Sequence, residues 1–322
     1  MYLVERLRAD GWAVRALVRD AGAASSLLPA GIELAAGDLL DAGAVTRAAS
    51  GCDVVFHAAA VVVSGGGWER YRRMNVDGTR VVIDAAERAG ARLVHVSSVA
   101  VYGPTARYRG GERTDEDTPL APLPASAHYA RSKRESESLV LDAHGAGRVW
   151  ATALRPDVIY GRHDRQFVPR IARLLRRGIL PVVGDGGSAL AVVHSANVAD
   201  AIVRAASLDA AGGRAYNVAN EGDVSAAEFM RLGAQALGQR VRTVRVPPAF
   251  AEAGLRVAGI TAALAGRGDL RDALRSSFDF LTRGNPFSSE RAYRELGWAP
   301  PVAPKDGILD AFAWLRERGS GS

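Results

Sequence analysis

The chain has 322 residues, of which 48% are hydrophobic, so it can bury a substantial core in one large domain or two unequal ones. Its formal net charge of +6 at pH 7 comes almost wholly from arginine, because Lys133 and Lys305 are its only lysines. The arginines are scattered among acidic residues without a basic run, which favours a mixed, solvated surface and argues against a nucleic-acid partner.

Short apolar runs alternate with segments of helical periodicity through the first half of the chain. The sequence opens on the end of an amphipathic helix stopped at Gly11. Strands are then predicted at 12–18, 32–35, 53–58, 93–97 and 149–154, and helices near 42–50, 68–89 and 126–144. This alternation is typical of an α/β, doubly wound parallel sheet with helices on both faces.

The alternation stops after Pro156, and glycine and proline become frequent between the elements. Helices are predicted near 165–177, 196–207, 225–238, 248–264 and 303–318, and strands at 215–220 and 241–246. We therefore predict a larger domain over residues 1–160. A smaller, mixed α/β substrate-binding lobe follows over residues 161–322, with segments that return to the main sheet.

Tyr129 and Lys133 lie four residues apart in the predicted helix 126–144, so both side chains share one helix face. An ammonium beside a phenol favours the phenolate and lowers its pKa from about 10. An incidental pair on a surface helix is the alternative. This chain uses arginine almost everywhere else, and a compact ammonium approaches a phenol and a ribose hydroxyl more easily than a guanidinium does.

Ser97 and Ser98 follow the predicted strand 93–97. Ligands of open parallel sheets bind in the crevice beyond the carboxyl ends of the strands, so Ser98 could hold a substrate oxygen there. The alternative is that the two serines only end the strand or cap the next turn.

Taken together, these segments resemble the extended short-chain dehydrogenase/reductase family. HVSSVAVYG (95–103) resembles its catalytic-serine strand, YARSK (129–133) its Tyr/Lys helix, and MNVDGT (74–79) its central-helix asparagine segment. LRPDVIYG (154–161), VVHSANVADAI (192–202), AYNVAN (215–220) and ELGWAP (295–300) match in the same order. The resemblance implies a Rossmann-type sheet over residues 1–160 that binds a dinucleotide.

It also implies the catalytic roles. Tyr129 would exchange a proton with the substrate oxygen, Ser98 would hydrogen-bond the same oxygen, and Lys133 would hold the nicotinamide ribose, with Asn75 in support. The hydride chemistry belongs to the nicotinamide.

Further residues are implied as cofactor contacts. Arg19, directly after the strand that ends at Val18, suits the 2′-phosphate of NADP, so NADP is expected ahead of NAD; a solvated loop arginine is the alternative. Asp38 and Leu39 resemble the adenine-edge contact, although Asp38 could simply open a helix. The remaining implied contacts are Ala58, Ala59, Ala60, Pro156 and Val158; strand packing alone would also explain the alanines.

In this family a strand and a T-G-x-x-G-x-x-G turn precede the helix that YLVERLRADG resembles, and no glycine occurs before Gly11. We therefore expect a sheet whose first strand is missing, in a sequence truncated at its N-terminus. The turn would bring backbone amides to the cofactor pyrophosphate. Each buried backbone group left without a partner costs about 1–3 kcal/mol.

Three functions remain open. The first is an NAD(P)-dependent oxidoreductase that interconverts a secondary alcohol and a ketone on a small hydrophobic substrate, similar to the 3β-hydroxysteroid dehydrogenase-like branch. Its substrate could contact apolar residues of the lobe, which helix packing would explain equally well: Val168, Ile171, Leu174 and Leu175.

The second is a nucleotide-sugar epimerase of the same family, and the third is a cofactor-free scaffold. Sugar-nucleotide 4,6-dehydratases are disfavoured, because Val99 and Ala100 stand where those enzymes carry an Asp-Glu pair.

Other partners are limited by composition. Cys52 is the single cysteine, and the six histidines are never spaced as a ligand pair on one helix face, so no metal site is expected. The sequence shows no signal peptide and no apolar run of about 18 residues, which predicts a cytoplasmic protein without a membrane partner. Members of the family that the chain resembles often pair, so the resemblance allows a homodimer, but the sequence does not fix the oligomeric state.

Overall fold

The computed structural model describes residues 1–62, 67–103, 113–219, 221–264, 278, 280–282 and 284–319. Its strands are β1 (Arg15–Val18), β2 (Glu33–Ala36), β3 (Val54–His57), β4 (Arg92–Val96), β5 (Ala151–Pro156), β6 (Val158–Tyr160), β7 (Ile179–Val183), β8 (Val192–His194), β9 (Ala215–Val218) and β10 (Arg242–Val246).

The helices cover both faces of these strands. They are α1 (Tyr2–Ala9), α2 (Ala21–Ser25), α3 (Ala42–Ala49), α4 (Gly67–Tyr71), α5 (Gly78–Ala89), α6 (His128–Gly145), α7 (Phe167–Leu175), α8 (Ser195–Ser207), α9 (Ala226–Ala236), α10 (Pro248–Leu264), α11 (Glu290–Leu296) and α12 (Pro304–Gly319).

The main sheet is parallel, as predicted. Strands β3, β4, β5 and β9 are neighbours in that order, and β1 pairs with β2 in a separate parallel pair. Because β9 comes from the second half of the chain, that half returns to the main sheet. The α/β, doubly wound architecture is therefore confirmed, whereas the domain division at residue 160 stays a prediction.

The sheet is interrupted between β1 and β3, which do not pair with each other among the described residues. Every residue of β1 and three of the four residues of β3 are only partly buried, unlike the fully buried β5. The Trp12 and Phe56 rings lie 6.1 Å apart on the two sides of the interruption.

Beyond the main sheet, the second half forms two parallel strand pairs, β6 with β8 and β7 with β10. Its core gathers around Phe229 and Phe312, which are fully buried and stack edge to face, with ring centroids 5.9 Å apart. Strand β6 lies in the segment 154–161 that matches the family. The strands β7 and β8 were not predicted, because each is short, and β7 also contains Pro181 and lies between Gly178 and Gly184. No helix within the described ranges is long and apolar enough to cross a bilayer.

The predicted helical segment at 68–89 is helical throughout, but it contains a π-helical stretch that was not predicted. It consists of α4, a π-helical segment at Arg72–Asp77 and α5. π-helical turns are rare and cannot be read from apolar periodicity. The segment matters because it contains Asn75.

Helix α6 is fixed on β5 by a buried ion pair. The guanidinium of Arg155 donates to Glu137 at 2.6 Å, and both side chains are less than one-tenth exposed. Arg155 also donates to the Tyr102 hydroxyl, which donates to Asn217 on β9. This network sets the position of the helix that presents Tyr129 and Lys133.

Candidate active site

Three sequence-predicted segments meet at one edge of the main sheet. Strands β3, β4 and β5 are parallel, so the residues that follow their carboxyl ends lie side by side. The residues that follow these three strands are Ala58–Ala60, Ser97–Ser98 and Asp157. The Ser97 amide donates to the Leu154 carbonyl on β5 at 2.7 Å, which holds two of the strand ends together. Helix α6 crosses this edge.

Ser98 has the capping role that was the alternative considered from the sequence. It is extended (φ −166°) and caps a short 3₁₀ helix, Val99–Tyr102, by accepting from the Ala100 amide at 3.2 Å. Its side chain also lies near the Tyr129 phenol, whose pKa it lowers. Because its oxygen is oriented by Ala100, the hydroxyl hydrogen is available for a further acceptor.

Tyr129 lies in the first turn of α6, near the Ser98 hydroxyl. Burial raises the pKa of the phenol, against the opposing effect of the Ser98 hydrogen bond, and Tyr71 raises it further. The expected lowering of this pKa by Lys133 is wrong for this state of the protein. The physical reason is that the ammonium is bound elsewhere.

The Lys133 side chain is 2% exposed and turns toward β4. Its Nζ donates to the Val96 carbonyl at 2.7 Å and lies 3.4 Å from Nε2 of His95. Burial lowers the pKa of Lys133 to about 8, against the attraction of Glu137. A buried lysine whose pKa is lowered in this way is a candidate for a functional role.

Asn75 is buried and connects two parts of the site. Its side chain accepts from the Val61 amide at 2.7 Å, donates to the Val61 carbonyl at 3.0 Å and donates to Ser132 on α6 at 2.9 Å. It therefore holds the loop after β3 against α6. This fits the supporting role that was predicted and places no Asn75 atom at the phenol.

A cavity of about 710 Å³ lies at the carboxyl ends of β1 and β2. Arg19 and Asp38 line it, as expected for an adenine-ribose site, and so do Arg70 and Arg73, which sequence reasoning missed. Asp38 accepts from the Leu40 amide at 3.0 Å. The Leu39 side chain packs instead against Gly78 of α5. A Cβ atom added at Gly78 would lie only 2.7 Å from the Leu39 side chain.

Ala58, Ala59 and Ala60 are all exposed, and β3 ends before them. Strand packing therefore does not explain these small residues, and their bare backbone is open to a ligand. At the next strand end Pro156 is buried and Val158 is 38% exposed. The Ser97 hydroxyl is buried at the same edge without a partner among the described residues.

The residues offered from the sequence as a contact for an apolar substrate pack differently. Val168 and Leu175 belong to the buried core of the second half, and Ile171 packs against it. Helix packing is thus the correct interpretation of these side chains. Apolar side chains that do reach the surface at the carboxyl edge are Val62, Val158 and Ile159, each 38–51% exposed.

A family model for the NAD dependent epimerase/dehydratase family matches residues 1–219. The chain belongs to this family. It is an enzyme of the NAD-dependent, extended short-chain dehydrogenase/reductase type, which favours the first two functions considered from the sequence over a scaffold. The described residues contain no cluster of three or more side chains suited to a metal ion.

Two curated relatives of this family member are named as ketone reductases. The 4-hydroxy-2-methyl-3-oxo-4-farnesyl-3,4-dihydroquinoline-1-oxide ketoreductase of Stigmatella aurantiaca is 32% identical over 99% of this chain and 94% of its own length. The 2-alkyl-3-oxoalkanoate reductase of Stenotrophomonas maltophilia (strain K279a) is 32% identical over 84% of this chain and 83% of its own.

A solved structure, MoeE5 in complex with UDP-glucose and NAD, is 25% identical to this family member with a TM-score of 0.72. The match covers 98% of this chain and 95% of that one. The family and its NAD complexes indicate a nicotinamide dinucleotide as cofactor. The exposed alanine backbone and the cavity at Arg19 and Asp38 fit such a molecule at two separate points.

Proposed function

We propose that the protein reduces a ketone on a small, hydrophobic substrate to a secondary alcohol, with NADPH as the preferred cofactor. The observation that carries this proposal is the proximity of the Ser98 hydroxyl to the Tyr129 phenol at the carboxyl edge of the sheet. Two hydroxyl groups that lie next to each other there can both reach one substrate oxygen. When bound, the nicotinamide supplies the hydride.

Proton transfer is the task of the phenol. Because burial raises the pKa of Tyr129, the side chain stays protonated at neutral pH and can donate to the oxygen of a ketone as that oxygen gains charge. Ser98 donates a hydrogen bond to the same oxygen. Lys133 would hold the ribose of the cofactor, one helical turn from the phenol.

A hydrophobic ketone is supported by two independent points. Both curated relatives are named for oxo substrates with alkyl or farnesyl groups. The surface of this chain at the carboxyl edge also presents apolar side chains, among them Val158 and Ile159. A nucleotide-sugar epimerase is the second candidate, since the related structure of MoeE5 contains UDP-glucose.

The preference for NADPH is supported by charge. Arg19 and Arg73 both line the cavity that contains Asp38, and neither forms an ion pair among the described residues. Two guanidinium groups suit a 2′-phosphate better than a ribose hydroxyl.

We also propose that the interruption between β1 and β3 receives one further parallel strand, whose turn would meet the pyrophosphate. The test adds a strand and glycine-rich turn ahead of Met1 and compares NADPH affinity by calorimetry. At least tenfold tighter binding is expected for the extended chain. Equal affinity of the two forms would contradict the added strand.

The cytoplasmic location, the homodimer and the domain division at residue 160 are likewise proposals.

The activity test mixes NADPH with either 2-alkyl-3-oxoalkanoates or UDP-glucose, for the chain as given and for the extended chain. Consumption of NADPH with the oxo acids, and none with Tyr129→Phe, is the expected result. Epimerisation of UDP-glucose without NADPH consumption would favour the second candidate. Neither reaction with either form would reject both.

A further inference from the structure

Two histidines lie under the active site, side by side on neighbouring strands. His57 on β3 and His95 on β4 are cross-strand partners, are 3% and 1% exposed, and have ring centroids 5.2 Å apart. The catalytic roles derived above use neither of them. One of them touches the catalytic lysine.

We propose that His95 is a positioning residue whose neutral imidazole accepts a hydrogen bond from the Lys133 ammonium and so fixes that ammonium at the end of β4. The purpose of this contact, which is to place Lys133 at the cofactor, rests on the proposed function. The contact itself is present in the protein without a cofactor.

An ammonium has three donors and no acceptor, so the 3.4 Å contact from Lys133 Nζ is a hydrogen bond only to an Nε2 of His95 that has no hydrogen. The proposal therefore places the ring hydrogen of His95 on Nδ1, which is buried and has no partner among the described residues. The Ser136 hydroxyl lies 3.3 Å from the same Nε2 and 3.0 Å from the Lys133 carbonyl, and the proposal requires its single hydrogen to go to Nε2.

Nε2 of His57 lies 3.0 Å from the Thr79 hydroxyl, which also lies 2.6 Å from the Asn75 carbonyl. Neither contact involves Lys133.

Electrostatics act in the same direction. Burial lowers the pKa of His95 well below its usual value, and the nearby Lys133 ammonium and His57 lower it further, while burial lowers the pKa of His57 to about 3. The titratable groups that act on Lys133 are Glu137 on α6, His95 on β4 and His57 on β3. Glu137 is itself bound to Arg155.

The consequence is a lysine held in place by two acceptors on one strand, the Val96 carbonyl and His95 Nε2. The third ammonium hydrogen has no acceptor among the described residues, so it is available to a ligand oxygen such as a ribose hydroxyl. His95 thereby maintains the charge and the direction of the group that would meet the cofactor.

The chain offers a direct test because it has only two lysines. Selective ¹³C labelling of lysine gives two ε-carbon signals, which Lys305→Arg assigns, and a pH titration then reports Lys133 alone. Loss of one hydrogen bond to a charged group should move the Lys133 midpoint of His95→Phe about one pH unit lower. His95→Gln, which keeps an acceptor oxygen, should move it less than half as far.

His57→Phe is the matched control: it replaces a buried histidine of the same sheet without removing an acceptor of Lys133, so the midpoint should stay. An unchanged midpoint in His95→Phe would overturn the proposal, as would an equal change in His57→Phe. Should His95→Phe not fold, ¹⁵N-histidine spectra of the unmodified protein decide instead. Nδ1–H in His95 supports the proposal, and Nε2–H in His95 overturns it.

These readouts need no enzymatic activity. Absence of ketone reduction with the titration results intact would reject the proposed function and leave the positioning of Lys133 by His95 in place. Ketone reduction together with an unchanged Lys133 midpoint in His95→Phe would support the proposed function and reject the positioning of Lys133 by His95.

Discussion

Replacing Lys133 by methionine should make the protein more stable at neutral pH, although it removes a side chain that the active site needs. The ammonium is almost fully buried, and its pKa falls from 10.5 to about 8. A difference of about 2.5 pH units corresponds to about 3 kcal/mol of destabilisation of the charged form. The Lys133→Met substitution would leave the Val96 carbonyl and Nε2 of His95 without their hydrogen bonds, which costs about 1 kcal/mol each, so a net gain of about 1 kcal/mol is expected.

The pH dependence identifies the cause. Below about pH 8 both the folded and the unfolded chain keep the lysine proton, so the penalty is fully present. Between about pH 8 and pH 10.5 the folded protein has lost the proton that the unfolded chain still binds, so its stability rises with pH and the advantage of Lys133→Met shrinks.

Urea unfolding followed by tryptophan fluorescence at pH 7 and pH 10 measures this change. Lys305→Met is the control: it replaces the other lysine, which is exposed, and should leave the free energy of unfolding within about 0.5 kcal/mol of the original protein at both pH values. A Lys133→Met variant that is less stable at pH 7, or whose gain is the same at both pH values, would refute the reasoning.

Two further changes test the packing of α6 and the cofactor preference. Glu137→Ala should lower the free energy of unfolding by about 3–5 kcal/mol, because it leaves the buried Arg155 guanidinium uncompensated. The double variant Glu137→Leu with Arg155→Met should regain most of that loss in the same urea assay, and a double variant as unstable as the single one would show that the ion pair is not the cause. Arg19→Glu should weaken NADPH binding by about 10–100-fold in calorimetry and change NADH binding less than threefold. Arg88→Glu makes the same charge change at a residue that does not line the cavity, and it should change the binding of neither cofactor. An equal loss of affinity for NADH and NADPH in Arg19→Glu would show that Arg19 does not contact the 2′-phosphate.

The central sheet was predictable because its strands are short apolar runs separated by helical periodicity, a pattern that depends on local sequence alone. The same holds for Ser98 and Tyr129, since a strand end and a helix start at one sheet edge bring them together. The four-residue spacing of Tyr129 and Lys133 predicted a shared helix face. It could not predict that the flexible lysine side chain turns to β4.

Features that arise from long-range packing were not predictable. His95 and Lys133 are 38 residues apart, and nothing local marks their contact. The π-helical segment around Asn75 breaks the periodicity on which the helix prediction relied. Val168 and Leu175 show why apolar spacing alone cannot separate a core face of a helix from a substrate-binding face. The two kinds of face have the same helical pattern of apolar residues. Only the packing of these two side chains in the core around Phe229 shows that they belong to the core.

The most direct test of the account is a crystal structure of the protein with NADP⁺ and the secondary alcohol that its reduction of an oxo acid produces. The account predicts that the Tyr129 hydroxyl and the Ser98 hydroxyl both lie within hydrogen-bond distance of the alcohol oxygen, with the Lys133 ammonium at the nicotinamide ribose. An alcohol oxygen bound away from these two hydroxyl groups would contradict it.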